Sequence, residues 1–129
     1  MALVLIVDDD EDFATAAATV LRDEGHKVSI ELDPRSGFKS IETRRPDLVI
    51  LDVMFPEDHT AGFDLARKIT RRFKEIPILM LTAVNQVSPL GFSRRDIDEV
   101  WLPITDFVEK PVDLEVLSRK VSDLLRPKA

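Results

Sequence analysis

Pro46-Asp47-Leu48-Val49-Ile50-Leu51-Asp52-Val53-Met54-Phe55-Pro56 is the stretch whose reading decides the fold. It opens on a helix breaker, runs apolar from Leu48 to Leu51 and then places a single carboxylate at Asp52. An unbroken Val, Ile and Leu run of this length predicts a strand buried on both faces, as in a parallel sheet. Ligands of open α/β sheets lie just outside the carboxyl ends of such strands, so Asp52 falls where chemistry is done. Taken in isolation, a strand-end Asp more often caps a turn, and the remainder of the chain has to decide.

Upstream, Leu3 to Val7 is a second continuous apolar run, closed by Asp8-Asp9-Asp10-Glu11-Asp12. It reads as a buried strand with an acidic turn into a helix whose stripe is Phe13, Ala16, Ala17, Val20 and Leu21, stopped by Gly25. Val28, Ile30 and Leu32 alternate with polar residues, which predicts a half-exposed strand at the sheet edge. Asp33-Pro34 has the form of an N-cap followed by proline at the first helical position, and a short helix with Phe38 and Ile41 ends before Pro46.

Downstream comes a helix with Phe63, Leu65, Ala66 and Ile69, whose Arg67, Lys68, Arg71 and Arg72 form its solvated face and last turn. A fourth apolar strand runs from Ile76 to Leu81 and ends at Thr82. Residues 83–103 lack clear periodicity and are interrupted by Pro89, Gly91 and Pro103, so the helix expected there is short or remodelled. Phe107 to Lys110 is a short fifth strand, and Val112, Leu114, Val116, Leu117, Val121, Leu124 and Leu125 mark a final amphipathic helix stopped by Pro127. Alternating strands and helices predict a flavodoxin-like (βα)5 fold: a five-stranded parallel sheet of order 2-1-3-4-5 with helices on both faces.

Composition narrows the function. The chain of 129 residues suits one domain, 1–129, with an ordinary balance of 44% hydrophobic and 33% charged residues. A formal charge of −6 argues against direct nucleic-acid binding or an anionic membrane surface. Without cysteine there is no disulfide, thiol catalysis or thiolate metal site. No apolar run approaches the ~20 residues of a membrane span and no signal-peptide pattern leads the chain, so the expected setting is cytoplasmic.

In that strand order, the neighbouring strand ends carry Asp8 and Asp9, Asp52, Thr82 and Lys110. Adjacent strands lie ~4.8 Å apart, close enough for Asp9 and Asp52 to share one hard cation, and an all-oxygen set with room for water suits Mg²⁺. Lys110 starts roughly 10 Å from Asp52 by the same spacing, a gap that its flexible stem can cross.

These marks, together with Met54 and Pro56 after Asp52, Thr82-Ala83 and Lys110-Pro111, resemble a two-component response-regulator receiver domain over nearly the whole chain. The resemblance implies that Asp52 is the phosphoacceptor and that Asp9, Asp52 and the Met54 backbone carbonyl hold Mg²⁺, with Asp8 acting through a metal-bound water. It implies that Thr82 donates its hydroxyl to the phosphoryl group, Lys110 neutralises it and Phe107 is a switching aromatic. Pro111 is a candidate for a cis bond. The implied partners are a sensor histidine kinase or histidine phosphotransfer protein and a downstream protein target. Such a domain is no enzyme beyond catalysing its own phosphorylation and dephosphorylation.

Other readings stand beside these. Asp8 alone reads as a helix cap, Thr82 as a strand-end hydroxyl, and Phe107 as core. Asp10, Glu11 and Asp12 read as electrostatic support for a helix N-terminus. His59, in a polar loop, has only His26 as a second histidine, and a metal or phosphotransfer role for it is disfavoured.

Two segments depart from the receiver pattern. The Asp52 to Gly62 loop is slightly long and acidic, and residues 92–103 replace the usual Gly-Ala-Asp-Asp-Tyr-like segment, which puts dimerisation through that face in doubt. Trp101 there is either a buried staple or a partner anchor. A haloacid-dehalogenase-type phosphatase also uses a strand-end Asp, but it needs a second acid where this chain has Met54. A degenerate receiver, acting as a phosphorylation-independent interaction module, is the remaining alternative. Met54 and Val84 are both apolar and cannot orient a hydrolytic water, so an acyl phosphate here is expected to be long-lived.

Overall fold

The computed structural model describes residues 2–52, 61–82, 106–109 and 112–125. Five parallel strands, β1 (Leu3–Val7), β2 (Lys27–Glu31), β3 (Leu48–Asp52), β4 (Ile78–Thr82) and β5 (Asp106–Glu109), form one sheet in the order β2-β1-β3-β4-β5. The helices are α1 (Glu11–Asp23), α2 (Pro34–Thr43), α3 (Ala61–Arg72) and α4 (Leu114–Leu125). The flavodoxin-like order expected from the sequence is therefore the observed one. Residues 83–105, with the helix expected to be short or remodelled and Trp101, lie outside the described residues, as does the loop of residues 53–60 with His59.

Each central strand alternates its side chains strictly between two cores, because successive Cβ atoms leave opposite faces of the pleat. Leu5, Val7, Val49, Leu51, Ile78 and Met80 join Ile41 of α2 and Leu65, Ala66 and Ile69 of α3 on one face. Val4, Ile6, Leu48, Ile50, Leu79 and Leu81 join Ala14, Ala17, Ala18 and Leu21 of α1 and Leu117 and Val121 of α4 on the other. With both faces covered, the central strands are apolar up to their carboxyl ends, which is why these segments read as continuous apolar runs. The edge strand β2 pairs with β1 alone and stays half-buried along Val28 to Glu31.

Several boundaries differ from the sequence reading. The core stripe of α1 is Ala14, Ala17, Ala18 and Leu21, with Ala16 exposed, so the predicted face is rotated by about one residue. β2 ends at Glu31, and Leu32 is exposed. β4 starts at Ile78 rather than Ile76, since Pro77 has no N–H for a ladder; its carbonyl accepts from the Val49 N–H instead. Val116 of the α4 stripe is exposed.

Helix ends follow their chemistry. Asp33 caps α2 by accepting from the Ser36 N–H, with Pro34 at the first position. After α1, the His26 N–H donates to the Leu21 carbonyl and the Gly25 N–H to the Arg22 carbonyl, a Schellman pair that needs the positive φ of 96° at Gly25.

Candidate functional site

Sheet topology creates the site. The chain leaves β1 toward β2 on one side and returns to β3 on the other, so a crevice opens at the carboxyl ends of β1 and β3. Val7 is in register with Leu51, which puts Asp8, one residue past β1, beside Asp52 at the end of β3. Asp8 and Asp52 are the two buried charged residues among those described, at 0% and 1% exposure, whereas Asp9 is exposed.

One carboxylate oxygen from each of Asp8, Asp9 and Asp52 lies within 4.8 Å of the other two. The turn that delivers them is fixed from within. The Asp8 N–H donates to the Glu31 carbonyl at 3.1 Å, and Asp8 Oδ1 accepts from the Asp10 N–H at 2.9 Å. Asp10, not Asp8, is the α1 cap, accepting from the Phe13 N–H at 3.1 Å. The capping alternative for Asp8 is thus replaced by a tighter role: its carboxylate shapes the acidic turn while staying in the cluster. Sequence order hid this division, because three consecutive aspartates offer the same chemistry and only the backbone path separates them.

At an effective dielectric of about 20, two unit charges at that separation repel by about 3 kcal/mol, more than an exposed ion pair returns. Such crowding is tolerable when a divalent cation shares the oxygens. The donor set fits a hard ion: carboxylate oxygens only, two of them buried, with the third facing solvent and leaving room for water. What the arrangement can do chemically is bind such an ion and hold an anionic group against one carboxylate.

Of the remaining predicted site residues, Thr82 closes β4 in register with Glu109, and Phe107 lies in β5 opposite Met80. Their side chains lie outside the described part, as do Met54, Lys110 and Pro111 altogether. Among the described residues, no helix is long and apolar enough to cross a membrane.

Comparison with known proteins is consistent in kind. The chain is 36% identical over 129 residues to the transcriptional regulatory protein AfsQ1 of Streptomyces coelicolor, covering 98% of this chain and 52% of that protein. It is 30% identical over 126 residues to the alkaline phosphatase synthesis transcriptional regulatory protein PhoP of Bacillus subtilis, covering 95% and 48%. The chain therefore spans about half the length of these curated relatives. Among solved structures, the chemotaxis protein CheY4 of Vibrio cholerae matches with a TM-score of 0.80 at 30% identity, covering 97% of this chain and 99% of that one. The receiver domain of NtrX from Brucella abortus matches with a TM-score of 0.80 at 27% identity, covering 95% and 97%. Since the family model for the response regulator receiver domain also matches residues 4–122, the chain belongs to the receiver-domain family of two-component response regulators.

Proposed function

We propose that this receiver accepts a phosphoryl group on Asp52 and thereby switches a protein partner or an output domain. The observation that supports the reading is the crowding of Asp8, Asp9 and Asp52 around one point at the β1/β3 crevice, with Asp52 itself buried. An ionised Asp52 oxygen attacks the phosphorus of the donor, forming an O–P bond as the donor's own bond to phosphorus breaks and its leaving group departs. Asp9, Asp52 and the Met54 carbonyl would hold Mg²⁺, with Asp8 reaching it through water. When bound, the ion supplies neutralisation of the phosphoryl oxygens. Lys110 neutralises the remaining charge, Thr82 donates its hydroxyl, and Phe107 follows Thr82 inward. Pro111 is a candidate for a cis bond.

The donor in this reading is a sensor histidine kinase or a histidine phosphotransfer protein, the setting is cytoplasmic, and residues 1–129 act as one receiver that turns over nothing but its own phosphoryl group. Incubation with acetyl phosphate and Mg²⁺ tests it by intact mass. A stable gain of one phosphoryl group, absent in Asp52→Asn, is the expected result. No gain in the parent protein would make this a degenerate receiver, and continuous release of phosphate would make it a phosphatase. Apolar Met54 and Val84 predict slow loss of the phosphoryl group, and Met54→Asn should speed it.

A further inference from the structure

The helices on the opposite side of the sheet from α1 and α4 carry a net positive charge. Residues 34–45 hold four cations against one carboxylate, and residues 61–75 hold five against two, in a chain whose formal charge is −6. Between α2 and α3 runs an open groove of about 500 Å³. Pro34, Phe38 and Leu65 give it an apolar lining, and Arg35, Lys39 and Lys68 line it with cations. Its two carboxylates are already matched: Asp64 pairs with Arg67 at 3.2 Å, and Glu42 pairs with Arg72 across the helices. Lys39 and Lys68 have no carboxylate within ion-pair distance among the described residues; Lys68 instead sits 5.9 Å from the Phe38 ring centre. A second depression of about 370 Å³ shares Lys39 and continues over Ser40 and Arg44, so the path crosses α2.

The geometry points to this groove as a docking site for an acidic peptide segment of a partner protein, with one apolar side chain seated on Phe38 and Leu65. An apolar lining edged by ammonium groups that no described carboxylate pairs calls for alternating apolar and anionic character in the occupant. A nucleic-acid strand fits less well. Its evenly spaced phosphates would run past Glu42, Asp64 and, in the adjoining depression, Glu31, and the whole molecule repels a polyanion at range. A peptide can leave those positions uncharged. None of Asp8, Asp9 and Asp52 lines either depression, and the docking does not depend on their chemistry.

Fluorescence anisotropy with a labelled short peptide of Asp and Glu bearing one central Phe tests the site. Saturable binding is expected, weakened about tenfold or more by Lys39→Glu with Lys68→Glu. A smaller loss is expected for the two Lys→Gln changes, and weaker binding as salt rises. Both lysines are exposed, and far-UV circular dichroism verifies that the variants fold. Arg119→Glu on α4 should leave binding unchanged, and replacing the peptide's Phe by Ser should weaken it. Absence of saturable binding, equal loss with Arg119→Glu, or equal competition by a single-stranded oligonucleotide would overturn the proposal. So would a dimer of the parent chain that the lysine reversals dissociate, since the occupant would then be a second copy.

Discussion

Carboxylates meet opposite fates at two places in this molecule. At the crevice, Asp8 and Asp52 are buried and share their space with Asp9, so like charges face one another. On the α2–α3 layer, Glu42, Asp64 and Glu75 are exposed and each has an arginine: Arg72, Arg67 and Arg45. The second arrangement costs little to build and contributes little, since an exposed pair is typically worth about 0–1 kcal/mol. The first is held together against repulsion by the fold around it, which is how binding sites store free energy that a ligand then releases. Charge alone does not mark a site; like charges brought together in a buried crevice do.

Neutralising one member of each group should therefore have opposite signs. In chelator, Asp52→Asn is expected to raise stability by about 2 kcal/mol, less than the full pairwise repulsion of about 3 kcal/mol because solvent screens Asp9. Glu42→Gln should lower stability by under ~1 kcal/mol. Adding Mg²⁺ should then stabilise the parent protein by about 2.7 kcal/mol at a hundredfold excess over its dissociation constant, and Asp52→Asn far less. Urea midpoints with and without the ion read both effects. If Asp52→Asn destabilises the ion-free protein, repulsion is not the dominant force at the crevice.

Packing offers a second way to set the two sides against each other. Gly37 of α2 lies so close to β1 that a Cβ there would meet Val7 Cγ2 at 2.8 Å and Cγ1 at 3.1 Å. Val7 immediately precedes Asp8, so this contact fixes the strand end from the α2 side. Gly37→Ala should cost about 1–3 kcal/mol by overpacking, and Val7→Ala in the same chain should recover part of it. Because α2 would be displaced from the strand that carries the acidic turn, Mg²⁺ affinity should fall in the single variant and partly return in the double. Unchanged stability would mean that α2 is free to shift away from β1.

Smaller still is the expected effect at Arg72. Its guanidinium lies 5.6 Å from the Phe38 ring centre and 5.3 Å from that of Phe73, while also pairing with Glu42. Arg72→Lys keeps the charge but loses the planar stacking, so about 1 kcal/mol should be lost in a melt, with Arg67→Lys as a near-neutral control. From sequence, Arg72 is simply part of a solvated helix end. Glu42 stands 30 residues earlier, and no local pattern announces such a partner.

That limit explains what was legible. Leu3–Val7 and Leu48–Asp52 announced themselves because burial on both faces leaves no choice but a continuous apolar run, and with the strand order they brought Asp8, Asp9 and Asp52 together. Periodicity places the face of α1 about one residue off because Ala14, Ala16, Ala17 and Ala18 are the same residue type, and only tertiary contact decides which of them is inside. Hydrophobicity places Ile76 in a strand; it is indeed buried, but the missing N–H of Pro77 keeps it out of the ladder.

A further effect, about the size of that at Arg72, is expected at the cap of α2, which belongs to neither charge group. Asp33 accepts from the Ser36 N–H and from its hydroxyl, and these bonds hold its carboxyl below the usual carboxylate range. A folded-state value lower than the unfolded one means that the contribution is present above the ordinary carboxylate range and disappears as the pH falls through the folded value. The group is almost fully exposed, so screening keeps the effect small. Asp33→Ala should cost about 1 kcal/mol at neutral pH, the usual worth of an N-cap. That difference from the parent should narrow on acidification, because protonated Asp33 is a weaker acceptor for the N–H of Ser36. Urea midpoints of the two proteins, followed from neutral to acidic pH, read the convergence. Curves that stay parallel would mean that the cap acts through backbone geometry at Asp33-Pro34 rather than through charge, and that this carboxylate belongs with neither the crowded nor the paired ones.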